Sequence, residues 1–191
     1  MFEIPDREKL LIYGERMIHI ESEPVTPEEF DLLPELREYM RFIMERHNGC
    51  GLAAPQVGIF KNFVILQSHE GEFLDMVNPA LLQMWGHEKE GFEACLSLPS
   101  VGNGCPVARL QHIKVEYATA DHPTTKQVRQ FSNMDSIVAQ HELDHLTGTF
   151  FIDRASDARR KDVLKLFEKW KQNQVKGELH CKSHYQTMHR S

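Results

Sequence analysis

Nowhere in this chain of 191 residues is there a run of the roughly 18 uninterrupted apolar residues that a membrane-spanning helix needs. The first twenty residues scatter charges through what would have to be the apolar part of a secretory leader, so a cytoplasmic location is expected. Cysteine is scarce: Cys50, Cys95, Cys105 and Cys181 form no CxxC pair and are too scattered for a disulfide scaffold. They read as free thiols, one of which could serve a metal. An excess of basic charge is also missing, with 22 Lys and Arg against 28 Asp and Glu and a formal net charge of -6. Neither nucleic acid nor an anionic membrane is therefore expected as a partner, since both select for basic surface. Internal repeats and long Gly/Ser or Pro-rich linkers are absent too, which leaves one domain, long enough to bury a core without staples.

What is present is a chain of mixed periodicities. Leu36, Met40, Ile43, Met44 and His47 recur at helical spacing and predict a helix over residues 34–47, stopped by Gly49 and Gly51. Apolar runs at 63–66 and 74–77, and the alternation of Ile113, Val115 and Tyr117, predict strands; residues 121–125 read as the turn into a partner strand over 127–131. A second helix is expected from Ser132, which stands in capping-box spacing with Asp135, to about Leu146, with Gly148 just beyond. A third, over 157–172, carries Val163, Leu164, Leu166, Phe167 and Trp170 on one face, and residues 175–191 read as a polar, flexible tail. Strands set between helices without βα alternation indicate an α+β domain, its mixed or antiparallel strands packed around the second helix.

That helix contains His141-Glu142-Leu143-Asp144-His145, an HExxH sequence. Four residues at about 100° each bring two imidazoles to the same face, one turn apart, where they can share an ion. Met134, Ile137 and Val138 continue the same stripe and fit core and pocket wall equally well. A catalytic metal commonly has three protein ligands plus water. The third histidine of HExxHxxGxxH is missing after Gly148, which excludes the metzincin proteases. Glu168 and Glu178 are weak candidates, because they lie in or beyond an ordinary amphipathic helix; Cys95, in a segment of small and turn-forming residues at 91–99, is the better one. His180, Cys181, His184 and His189 could form a second site, but no packed element positions them.

Three segments together resemble the peptide deformylase family. Residues 49–56, Gly-Cys-Gly-Leu-Ala-Ala-Pro-Gln, match its GxGLAAxQ motif; 93–97, Glu-Ala-Cys-Leu-Ser, nearly match EGCLS; and 140–146, Gln-His-Glu-Leu-Asp-His-Leu, match QHExDHL. They come in the family's order and at similar spacing, and the resemblance covers roughly residues 5–172.

The resemblance implies an enzyme that removes the formyl group from the N-terminal formylmethionine of new polypeptides and releases formate. It implies one divalent metal on Cys95, His141 and His145, with Fe²⁺ as the expected ion and Zn²⁺, Ni²⁺ or Co²⁺ as alternatives for this ligand set. Glu142 would be the general base, and the Gln56 side chain and the Leu96 backbone N–H the oxyanion donors. Gly51 would admit the substrate backbone, and Cys50, Met134, Ile137 and Val138 would line the methionine pocket. The implied partners are N-formylmethionyl peptides, nascent chains at the ribosome among them, and the expected state is a monomer or weak dimer.

Two departures accompany these matches. Ala94 stands where the family has glycine, placing a methyl beside the metal cysteine. The family also has an arginine soon after its LSxP, helping to hold the substrate backbone; here the segment runs Ser100-Val101-Gly102-Asn103-Gly104-Cys105 and is about two residues longer before Arg109. They motivate two competitors: a deformylase-like hydrolase with another formylated or acylated substrate, and a catalytically weak relative that keeps the metal as a clamp.

Overall fold

A computed structural model of the chain describes residues 1–5, 7–15, 19–99 and 104–188, with side chains up to residue 174. The elements run α1 (Leu33–Arg46), β1 (Gly51–Ala53), β2 (Phe63–Gln67), β3 (Phe73–Glu93), β4 (Cys105–Ala118), β5 (Gln127–Ser132), α2 (Asn133–Leu146) and α3 (Asp157–Met188). The five strands form one sheet in the order β1-β2-β3-β4-β5, every neighbouring pair antiparallel. The architecture is α+β.

Strand β2 explains how the sheet holds two cores. Its side chains alternate between faces: Phe63 and Ile65 pack with Leu36, Met40 and Ile43 of α1, whereas Val64 and Leu66 pack with Met76, Ile113, Val115 and Phe131 on the side of α2. Both faces are covered, so the segment reads as a continuous apolar run. Each such fully buried side chain contributes about 1.5–3 kcal/mol relative to exposure. A third cluster, Leu98, Val107, Phe150, Phe151, Val163 and Phe167, seats α3 and holds Cys95 at its edge.

Helix α2 is enclosed by the second core, but only Val138 of the stripe that the periodicity suggests packs against it. Ser136, Ala139 and Gln140 are buried, whereas Met134 is 55% exposed and Ile137 and Val138 are half-buried. The small Ala139 and the short Ser136 let the helix approach β4, where the Ser136 hydroxyl and the Gln140 amide both donate to the Leu110 carbonyl, at 3.1 and 2.8 Å. Nor does the capping box form. The Ser132 hydroxyl pairs with His112 Nδ1 at 2.9 Å, and Asp135 accepts from the His69 backbone N–H at 2.7 Å, so both are drawn into tertiary contacts. At the other end Gly148 takes φ +69°, a backbone turn that suits a residue without Cβ and ends the helix as expected.

Three elements are longer than expected, β4 among them, which begins at Cys105 rather than near Ile113. β3 extends through residues 78–93, pairing with β4 from Val77↔Ala118 to Glu93↔Cys105 across three irregularities. α3 continues to Met188, through the segment set apart as a tail. The side chains of Glu178, His180, Cys181 and His184, and all of His189, lie outside the described residues, as do residues 100–103.

Candidate metal centre

The far end of the long β3 delivers what α2 lacks. Glu93 is its last residue, Cys95 follows two residues later, and a turn closed by the Leu98 N–H on the Cys95 carbonyl at 2.9 Å fixes the cysteine against the helix. Cys95, His141 and His145 are all buried, and one ligand atom from each lies within 4.8 Å of the others. Cys95 Sγ is 3.3 Å from His145 Nε2, and the two imidazoles meet edge to face at 4.9 Å between ring centroids. Helical spacing thus aims both rings at a cysteine fifty residues from His145.

These residues fit a divalent transition metal. Two imidazole nitrogens and a thiolate are borderline-to-soft donors that suit iron, zinc, nickel or cobalt, and three protein ligands are the number that leaves a position for water. His141 Nδ1 donates to Glu93 at 2.8 Å, which leaves its other nitrogen for the Cys95 side, the orienting arrangement found behind metal-binding histidines. Glu142 Oε2 is buried with no hydrogen-bond partner among the described residues, a cost that a dry packed core would not retain.

Electrostatics separates the groups around His141. Burial opposes its imidazolium, but hydrogen bonds with Cys95 and Glu93 outweigh that and hold its pKa well above the usual histidine value. His145 is pushed well below by burial and by the charge on His141. Burial also raises Glu142, to about 7. A carboxylate near neutrality is matched to taking a proton and giving it back, and a cation beside it would pull it down.

Glu93 belongs to a buried chain of charges. Its carboxylate receives two N–H bonds from Arg109, at 2.7 and 2.9 Å, and Arg109 also pairs with Asp144, which Arg154 grips from the solvent side. Although burial resists its ionisation, Arg109 and His141 bring Glu93 down to about 2. Arg109 is 3% exposed, with both ends of its guanidinium occupied. It is therefore not placed to hold a substrate backbone, in keeping with the longer segment that precedes it. Glu93 and Asp144 both stand inside the matched motifs, and their burial is the signal that sequence lacks.

A cleft of about 360 Å³ opens above the centre. It is lined by Cys50, Gly51 and Gln56 on one wall, by Phe92, Ala94, Cys95 and Leu96 on another, and by Met134, Ile137, Val138, His141 and Glu142 of α2. Every candidate residue except the inward-facing His145 thus borders one cavity. Gln56 is held by its amide oxygen, which accepts from the Ala53 N–H at 2.8 Å, so its NH₂ points towards Cys95 Sγ at 3.4 Å and Ser97 Oγ at 3.2 Å. Gly51 has a further reason to be glycine: a Cβ there would lie 2.8 Å from Cγ and Cδ of Glu142. The close approach is to the chain's own Glu142.

Residues 7–161 match the family model described as polypeptide deformylase. The chain belongs to the polypeptide deformylase family. It is 32% identical over 152 residues to a peptide deformylase of Thermotoga petrophila, covering 80% of this chain and 89% of that one, and 30% identical over 176 residues to a peptide deformylase of Brachyspira hyodysenteriae, covering 88% and 91%. Among solved structures it is similar to a peptide deformylase from Legionella pneumophila, with a TM-score of 0.79, 27% identity and coverage of 87% and 96%. A class I type b peptide deformylase from Acinetobacter baumannii gives a TM-score of 0.71 at 33% identity, with coverage of 76% and 97%. Against the deformylase pattern, Ala94 is exposed at the rim of the cleft, so its methyl does not keep Cys95 from the two histidines.

Proposed function

We propose that this chain removes the N-formyl group from the N-terminal formylmethionine of new polypeptides, adding water across the formyl amide to leave formate and a free amine. The observation that carries the reading is the convergence of the Cys95, His141 and His145 ligand atoms beside the unpartnered Glu142 carboxylate, with the Gln56 amide aimed at the same point. A divalent metal held there, Fe²⁺ in the native enzyme, would polarise water and lower its pKa. Glu142 removes a proton from the attacking water and returns it to the departing amine, which a pKa near 7 favours. As the formyl oxygen gains charge, the Gln56 NH₂ and the Leu96 N–H donate to it; the bond from Ala53 to Gln56 presets that orientation. Cys50, Ile137 and Val138 offer apolar and thiol surface to the methionine side chain one helical turn from the reacting end.

The site would work on N-formylmethionyl peptides in the cytoplasm, nascent chains at the ribosome included, as a monomer or weak dimer. No helix of the described residues is long and apolar enough to cross a membrane. The competitor with another acylated substrate keeps its ground in Ala94, whose methyl lines the cleft.

The deciding experiment is formate release from formyl-Met-Ala-Ser by anaerobically purified, Fe²⁺-loaded protein, beside Glu142→Ala. Release that disappears in the variant supports the reading; no release at full metal occupancy overturns it. Reconstitution with Zn²⁺, Ni²⁺ and Co²⁺ in the same assay ranks the metals.

A further inference from the structure

Gln56 and Leu96, the two oxyanion donors, come from separate stretches of chain. Gln56 stands in the tight turn that follows β1, and the Leu96 N–H in the turn that follows β3. Among the described residues no backbone hydrogen bond runs directly between these stretches. The N-terminal segment joins them instead. The Leu11 N–H donates to the Gln56 carbonyl and the Tyr13 N–H to the Ser97 carbonyl, each at 2.7 Å. Backbone donors two residues apart are separated by at most about 7 Å, so this segment limits how far the two stretches can part. One side-chain bond, from the Gln56 NH₂ to Ser97 Oγ at 3.2 Å, closes the ring.

The segment is itself firmly seated. Leu11 is 8% exposed and packs in the cluster that contains Cys95 and Leu98. The Tyr13 ring meets Phe150 edge to face at 5.0 Å and Phe167 of α3 at 6.0 Å between centroids, and Phe150 in turn meets His145 at 4.8 Å. A metal ligand's neighbour, α3 and both donor stretches thus bear on three residues.

We infer that Leu11 to Tyr13 form a clasp that holds the Gln56 amide and the Leu96 N–H at the separation a developing oxyanion needs, with Tyr13 as its positioning residue. Oxyanion donors act when they stand about 3 Å from the oxygen before the charge forms. Donors carried on stretches that drift apart aim at different points, and a misplacement of about 1 Å costs up to about 10²-fold in rate. Tyr13 does not border the cleft, so it acts through Ser97 and not on the substrate. The inference rests on the deformylase reading.

The test measures kcat and KM of the Fe²⁺-loaded protein for formyl-Met-Ala-Ser in Tyr13→Pro, which lacks the donating N–H, and in Tyr13→Ala, which keeps it and loses the ring anchor. Each lowers kcat about tenfold and leaves KM within about twofold, whereas Tyr13→Phe keeps the unaltered rate. In a Gln56→Ala background the same two changes alter kcat by less than about twofold, because one donor alone has no separation to hold. An equal fall in both backgrounds, or an unchanged kcat in both Tyr13 variants, overturns the clasp; so does loss of folding in both, which would make the segment a fold element only. The second measurement is heteronuclear NMR of the Gln56 side-chain amide in the Zn²⁺-loaded protein, its signals identified by their loss in Gln56→Ala. They shift towards those of free glutamine in the Tyr13 variants if the clasp holds, and stay in place if it does not. Absence of formate from the unaltered protein overturns the deformylase reading instead, and the Gln56 signals then decide whether the clasp fixes that side chain.

Discussion

Two glutamates flank His141, and they are equally buried: Glu93 is 5% exposed and Glu142 4%. Yet Glu93 titrates at about 2 and Glu142 at about 7. The difference lies in their partners. Glu93, at the end of β3, is met by Arg109 and by His141, so its charge is satisfied before any ligand arrives. Glu142, on the cleft side of the same histidine, lies against Gly51, and its Oε2 has no hydrogen-bond partner among the described residues. One side of the histidine is built for permanence and the other is left poised, and the fold's stability and its chemistry divide along that line.

The sharpest test of this division is Glu142→Ala. A general acid-base group contributes about 10²–10⁴-fold; formate release should fall by that factor while the urea midpoint stays put or rises, because an unpaired buried carboxylate is removed. A fall in stability would mean that Glu142 belongs with the structural side. Next in size is Arg109→Met, which leaves Glu93 and the inner edge of Asp144 buried without their cation. Breaking such a pair costs about 3–5 kcal/mol, to be read from urea unfolding of the metal-free protein. A loss below about 1 kcal/mol would show that the network is ornamental and would erase the contrast.

These two tests bear on what the sequence made legible. The placement of His141, Glu142 and His145 on one helix follows from spacing, α1 from the periodicity of its buried face, β2 from an apolar run covered on both faces, and β5, exposed along most of its length, from the turn before it. Arg109 carried no such pattern: its role depends on Glu93 across the β3-β4 pairing and on Asp144 of α2, distances that only the folded chain sets. The outer part of β3 was invisible for a related reason. Residues 80–91 are exposed or nearly so on both faces, so no alternation marks them as a strand, and the pairing with β4 alone makes them one. Met134 stands open between core and cleft in the sequence, since an apolar stripe reads alike in both, and it lines the cleft.

The pH dependence of the metal-free protein offers a finer comparison. Glu93 has a depressed folded-state pKa, so its stabilisation, on the order of 3 kcal/mol, is present above about 4.5 and is lost as pH falls towards 2. Glu142 has a raised one, so its contribution is present below 4.5 and is lost as pH rises through 7. Urea unfolding from pH 3 to 8 should therefore show a low-pH limb abolished in Glu93→Gln and a decline above 4.5 flattened in Glu142→Gln. Limbs that persist in the matching variants would assign them elsewhere. The smallest effect expected is at Ser132: with no cap bond to lose, Ser132→Ala should cost less than the ~1 kcal/mol typical of a helix cap, measured by thermal unfolding.

The ligand set described above is split between two architectural elements, Cys95 just past the end of a strand and the two histidines on a helix, fifty residues separating the cysteine from His145. Any ion that all three grip closes a loop of that length and ties the sheet's long arm to α2, whatever its fitness for hydrolysis. Such a closure acts as a reversible cross-link, withdrawing freedom from the unfolded chain in the manner of a disulfide that a chelator can open. Metal supply is thus also a control on how much of the protein is folded, and a catalytically poor ion can still preserve the chain until a better one replaces it.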